Sequence, residues 1–237
     1  MANNKSGKYF KYALGEIVLV VIGILIAIQF NSVKQNNDKR TEEINHLKNI
    51  LSDLNQDKVE LEKIIERRKS KANSAKTMES YYHTNRVDNL SEYYSNWTNV
   101  LYWEAHNPSF ITFKELINSG KLSSLTNESI KQLLLKIDYS YNEMFEVRKH
   151  MYDDYSEYLY NSFADIVDYE NAIIAWSEPN KIIELSREDV EKALKSKRIK
   201  NGFTLASFNN NILAGQLTAI LTKVDSTIVL VEQEIKK

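Results

Sequence analysis

Lys8–Val33 reads KYFKYALGEIVLVVIGILIAIQFNSV, and no residue from Ile17 to Val33 carries a charge. Tyr12–Phe30 as a helix covers roughly 28 Å at about 1.5 Å per residue, close to the roughly 30 Å of a bilayer's hydrocarbon. A span of that length satisfies its own backbone only as a helix. Tyr9, Phe10 and Tyr12 flank it as interfacial aromatics do, and Lys5, Lys8 and Lys11 stand before it. Ala27-Ile28-Gln29-Phe30-Asn31 offers no small residues at cleavage-site spacing, so the run reads as an uncleaved signal-anchor. The expected organisation is a short basic cytoplasmic tail (1–11), a transmembrane helix (12–33) and an extracytoplasmic helical domain (34–237). Lys/Arg counts are nearly balanced, with Lys34, Lys39 and Arg40 on the exit side. The short basic tail places the N-terminus inside, because long domains translocate largely regardless of charge.

Working outward, the helix does not stop at the membrane. Ile44, Leu47, Leu51, Leu54, Leu61 and Ile65 keep a three-four spacing, and no Pro or Gly interrupts Ile24–Lys76. Asn37, Arg40, Lys58 and Arg68 fall on the same seam. They either set register in a self-associating coiled coil or meet solvent or polar neighbours within the chain.

Further helices are expected at Leu90–Leu101, ended by Asn107-Pro108, and at Thr112–Ser119, stopped by a left-handed Gly120. Thr126 or Asn127 should cap a helix running to about Asp168, with a seam of Leu134, Ile137, Tyr141, Met144, Met151, Tyr155 and Tyr158. Trp176 and Pro179 fall in a connector. Ser186 and Asp189 resemble a capping box, and Asn201-Gly202 should break the chain before a last helix at about 203–235. The long helices are thus expected at about 34–80, 128–168 and 203–235. The fold class is all-α: a transmembrane helix continuing into a long helix, with an elongated antiparallel bundle outside the membrane. In that bundle the short helices sit at the far end and the Glu128–Asp168 helix returns toward the anchor.

Composition narrows function. With 31 basic and 32 acidic side chains the net charge is −1, which supplies no general attraction to nucleic acid. Six Gly and two Pro leave little room for many strands and turns, and zero Cys removes thiol chemistry. No phosphate-cradling glycine loop and no nucleophile elbow occurs, so neither catalytic residues, a cofactor nor a metal is assigned, and the chain does not read as an enzyme. Of four histidines, only His150 has carboxylate company, in Glu146, Asp153, Asp154 and Glu157. That set lies off the apolar seam and reads as a solvated face. The tyrosine-rich run after Tyr139 reads as core with hydroxyls at the rim.

Two sets of residues are candidate contacts. Glu16, Gly23 and Ala27 share one face of the span, where small residues allow close helix approach and an acid in the membrane marks a contact. Lys195, Lys197, Arg198 and Lys200 form the densest basic cluster, expected near the membrane and suited to lipid head groups or phosphate.

Tyr9-Phe10-Lys11-Tyr12-Ala13-Leu14-Gly15-Glu16-Ile17 with Gly23-Ile24-Leu25-Ile26-Ala27, and Phe113-Lys114-Glu115-Leu116-Ile117-Asn118-Ser119-Gly120-Lys121-Leu122, resemble the anchor and internal motif of an uncharacterised single-span family common in Bacteroidota. Gln29-Phe30-Asn31-Ser32 departs from that family's Trp-containing exit. The resemblance implies an inner-membrane protein with a periplasmic helical domain and brings no activity. The resulting expectation is a membrane-anchored interaction or structural module, with a protein partner or self-association. The alternative is a ligand-sensing ectodomain working through a membrane partner. A closed interior favours the first; a sizeable cavity at Tyr141, Tyr155 or Trp97 favours the second.

Overall fold

The computed structural model describes residues 6–103, 106–167 and 186–237. Its longest element, α1 (Ser6–Thr84), joins the apolar run to the bundle without a break. It ends where Asn85 turns left-handed at φ 48°, a conformation Asn tolerates better than most residues. Asn89 then caps α2 (Leu90–Leu101), its side chain accepting from the Glu92 amide. α2 stops at Leu101 with an extended Tyr102, several residues before the Asn107-Pro108 expected to end it. α3 (Ile111–Asn118) ends through Gly120 at φ 69°, as expected, and a 3-10 turn follows at Lys121–Ser124.

Asn127 caps α4 (Glu128–Tyr155), accepting from the amides of Ser129 and Ile130. A π turn at Ser156–Tyr160 leads into α5 (Asn161–Ala164). The wider π turn shifts the seam by one residue, so Leu159 is buried where Tyr158 was expected, and Phe163 follows it. The Trp176 and Pro179 connector lies outside the described residues. Ser186 caps α6 (Arg187–Leu194), accepting from the Asp189 amide, and Ser196 caps α7 (Lys197–Ile235).

Asn201-Gly202 does not break the chain; α7 runs straight through it. Gly202 is buried, and a Cβ there would lie 2.6 Å from Leu159 Cδ2, so this glycine lets two helices approach closely.

Cross-links along α1 give the direction of α2, α3, α4 and α7. α7 runs antiparallel to α1: Arg40 meets Glu234, Lys58 meets Asp225, Arg68 meets Asn210 and Glu79 meets Thr204. α2 also returns along α1, through Asn99 to Ser74 and Ser70. α3 continues that descent: its first turn is fixed by the Thr112 amide donating to Asp53, and Lys121 beyond it pairs with Glu42. α4 therefore starts beside the apolar end, where Thr126 meets Glu43, and climbs parallel to α1 to the level of Tyr141 and Asp57. This is an up-down-up-down bundle in which α2 and α3 together make the second, split strut. The expected sequence, with short helices at the far end and α4 returning, is corrected: the 106–126 stretch spends its length coming back.

The fold is all-α among the described residues. Its core packs α1, α4 and α7 against α2 and α3, with Leu54, Leu61, Ile130, Leu134, Leu159 and Phe203 at its centre. From Phe10 to Val33, by contrast, every large apolar side chain described stands exposed, from 47% at Ile22 to 74% at Phe30. This projecting segment is called the arm below.

Candidate functional site

The arm leaves the bundle at a polar base. Arg40 donates to Glu43 at 2.7 Å and to the Glu234 carbonyl at 2.7 Å. Glu43 accepts from the Thr126 amide at 2.6 Å and its hydroxyl at 2.7 Å, and Asn127 donates to Glu234 at 2.8 Å. One buried carboxylate thus ties α1 to the turn before α4, and another ties α4 to the end of α7. Burial alone would raise the Glu43 carboxyl; the hydrogen bonds from Thr126 and Arg40 outweigh it and hold it below the usual carboxylate range. Glu234 is also held low, by Lys237 and Asn127. A cleft of about 820 Å³ opens on this base, lined among others by Lys39, Arg40, Glu42, Lys121 and Lys237. Its acids are already engaged, so it presents mixed charge and no group set up for proton transfer.

A second polar set lies inside the bundle. Tyr141 donates its hydroxyl to the fully buried Asp57, and His106 Nε2 stands 3.6 Å from the other Asp57 oxygen. Burial and the Asp57 carboxylate both push the Tyr141 phenol far up, which keeps it protonated as the donor. One level farther out, Arg68 donates to Asn210 at 3.3 Å and lies over the Trp103 ring, while Asn210 donates to Tyr155 at 2.9 Å. Lys71 donates to the carbonyls of Asn99 and Tyr102, closing the C-terminus of α2. Asp57 Oδ1 and His106 Nε2 face each other without a hydrogen bond; the other groups pair with one another and hold neighbouring helices in register. Their chemistry is structural.

Sequence reading missed Glu43, Asp57, Lys71 and Asn210 because it followed the apolar residues. The expected Leu47, Leu54, Leu61, Ile65 and Arg68 are buried, and a second buried line passes through Glu43, Ile50, Asp57, Ile64, Lys71 and Met78, one position before the half-buried Ile44, Leu51 and Lys58. α1 is covered on two sides, so its buried sector is wide enough to take polar residues with partners. The available signal was Asp57 between Leu54 and Leu61. Of the polar seam residues, Arg40, Lys58 and Arg68 meet neighbours within the chain, and Asn37 is exposed.

Glu16, Gly23 and Ala27 lie exposed on the arm, and nothing stands within 4 Å of a Cβ built on Gly23. Lys195, Lys197, Arg198 and Lys200 sit at the junction of α6 and α7, beside the outer end of α4, where Arg198 pairs with Glu157. That junction is level with Glu79, roughly 65–70 Å along α1 from Val33. The expected position beside the anchor is therefore corrected, because α7 starts far from the arm and ends near it. His150 and its acidic neighbours lie mostly exposed on the outside of α4. Among the described residues no group of three or more His, Asp and Glu is placed to hold a metal ion. A small cavity of about 50 Å³ adjoins Trp97, Tyr94 and Phe163. Tyr141 and Tyr155 are packed shut.

Residues 16–181 match the model of a family of unknown function, DUF6090. The chain belongs to this family. The match opens in the arm at Glu16 and takes in the rest of α1 and α2 to α5. No curated protein and no solved structure matches the chain.

Proposed function

We propose that this DUF6090 protein is a single-pass protein of the bacterial inner membrane that holds a helical bundle in the periplasm as an interaction or structural module. Residues 1–11 are cytoplasmic, 12–33 cross the bilayer and 34–237 stand outside. The observation that carries the reading is the bare arm on a bundle whose other helices are one-sided. Among the described residues two helices, α1 and α7, are long and apolar enough to cross a membrane. Only α1 has its apolar window wholly uncovered; α7 is partly buried in the core. An exposed apolar cylinder roughly 28 Å long is stable in hydrocarbon and not in water. The resemblance of the anchor and of the Phe113–Leu122 motif to a bacterial single-span family supports the same location.

The interior supports a module rather than a ligand sensor. The cavity at Trp97, about 50 Å³, has room for a few waters and falls well below the roughly 300 Å³ of small-molecule pockets. Tyr141 and Tyr155 spend their hydroxyls on Asp57 and Asn210. In this reading Glu16, Gly23 and Ala27 form a lateral contact face in the bilayer. Glu16→Gln should leave insertion intact and weaken association through that face, measured as detergent-resistant complex.

The chain has no cysteine of its own, so single cysteines report topology cleanly. In spheroplasts, a membrane-impermeant maleimide should label Ser91→Cys in α2 and spare Ser6→Cys until the membrane is opened. Labelling of both, or release of the protein by alkaline carbonate, would overturn the anchoring.

A further inference from the structure

α7 has two seams. The inner one, Phe203, Ala206, Asn210, Leu213, Leu217 and Ile220, is buried. The outer one lies two residues on, about 200° around the helix. Phe208, Ile212, Gly215, Ala219 and Thr222 recur there three and four apart, with Val229 one heptad later, and all are exposed, Phe208 by 61%. A solvent-facing helix side ordinarily carries charge. Here none occurs from Asn201 to Thr222.

The other long helices differ. The outer row of α4 carries Lys136, Glu143, Glu146, Asp153 and Glu157, and that of α1 carries Lys63 and Glu66, all exposed. The hydroxyls beside the outer row of α7 also spend their protons within the helix. Thr218, Thr222 and Ser226 donate back to the carbonyls of Ala214, Thr218 and Thr222. Contact along this row therefore strands no charge as far as Thr222; beyond it Lys223 donates back to the Ala219 carbonyl at the edge of the row.

We propose that the outer seam of α7 pairs with the same seam of a second copy of this chain, parallel and in register. The parallel sense rests on the anchoring proposed above: two copies in one membrane are related by an axis along its normal, which α1 and α7 follow. In such a pair each residue near the axis meets its own counterpart. A charged row would meet like charge, which rules out the outer faces of α4 and α1. The neutral α7 row meets itself without penalty, and Gly215, with nothing within 4 Å of a built Cβ, lets the backbones approach. The strip from Phe208 to Val229 is roughly 32 Å by 10–12 Å, on the order of 350 Å² per copy. That is under half of the roughly 800 Å² per partner of a stable interface. Pairing therefore depends on the high local concentration that a shared membrane supplies.

The test uses the full chain in its native membrane. Gly215→Cys places a thiol at the axis, where parallel partners bring Cα atoms within disulfide reach. Glu146→Cys on the outer face of α4 is the control. On mild oxidation Gly215→Cys should give about tenfold more covalent dimer than Glu146→Cys, and adding Ile212→Lys should return the yield to the control level. Equal yields, no dimer, or capture of a protein of different mass at Gly215→Cys would overturn self-pairing. Carbonate extraction of the same membranes separates the two ideas. Chain lost to the wash counts against anchoring; chain retained without a Gly215→Cys dimer counts against pairing alone.

Discussion

The chain contains two long uncharged helical runs, Ile17–Val33 in α1 and Asn201–Thr222 in α7. Both lack charge, but the most apolar stretch of α1 has mean hydropathy 2.5 against 1.3 for α7, and the two have opposite surroundings. The first is Leu, Ile and Val on all sides and nothing covers it. The second puts its large apolar residues mainly on one side, buries that side against α1 and α4, and fills the other with Asn, Thr, Ser, Gly and Ala plus a few large apolar side chains. Absence of charge alone does not distinguish a lipid-facing helix from a protein-facing one. Distribution around the helix does: uniform for the first, two-sided for the second.

Leu217→Ala, on the inner side of α7, should separate the runs most sharply. It empties a fully packed site and should cost about 2–5 kcal/mol of bundle stability in denaturant titration. Leu25→Ala in the arm should change the same midpoint by less than about 0.5 kcal/mol. Equal losses would mean that the arm is packed in the folded state.

The next effect is at the base, where α1 and α7 meet. Glu43→Gln weakens the charged hydrogen bonds with Arg40 and Thr126 and should cost about 1–3 kcal/mol at pH 7. The sign of its pH dependence follows from the lowered folded-state carboxyl. Folded Glu43 binds protons less readily than unfolded Glu43, so its stabilisation is full above the ordinary glutamate value of about 4.3 and is lost as pH falls through the folded value. Thermal melts of wild type and Glu43→Gln should converge in acid; a constant gap would break the assignment.

The smallest effects come from two glycines of α7. Gly202→Ala gains about 1 kcal/mol of helix propensity and drives a Cβ into Leu159, an overpacking of about 1–3 kcal/mol. A net loss of up to about 2 kcal/mol follows. Gly215→Ala meets open space and should stabilise the monomer by about 0.5–1 kcal/mol. Melting both variants in detergent checks the pair; the same sign at both positions would show that inner and outer faces are not distinct.

Much of this fold was legible in the residues. The apolar run, the uninterrupted α1, the α4 seam through Tyr155, the left-handed Gly120 and the Ser186 cap all follow from spacing and local chemistry, which act within a few residues. The direction of α4 and α7 did not follow. It depends on where Thr112 and Thr126 find Asp53 and Glu43, contacts between segments far apart in sequence. Gly202 looked like a breaker because a glycine that admits a neighbour and one that ends a helix are the same letter. The π turn moved burial from Tyr158 to Leu159 by a backbone change that side-chain periodicity does not encode. Of the candidate contacts, the basic cluster was misplaced because its position was inferred from the reversed topology. The outer seam of α7 was hidden because attention to the expected core stripe leaves the opposite side unread.

α1 is one unbroken helix from Ser6 to Thr84. With the arm in a bilayer, the lean of the transmembrane part is the lean of the whole molecule. Spanning helices tilt by about 20° on average and adjust when hydrocarbon thickness changes. Over the roughly 70 Å from Val33 to Glu79 such a tilt carries the outer end sideways by about 24 Å and lowers it by about 4 Å. The α1 rod would thereby convert local membrane thickness into the reach of its far tip.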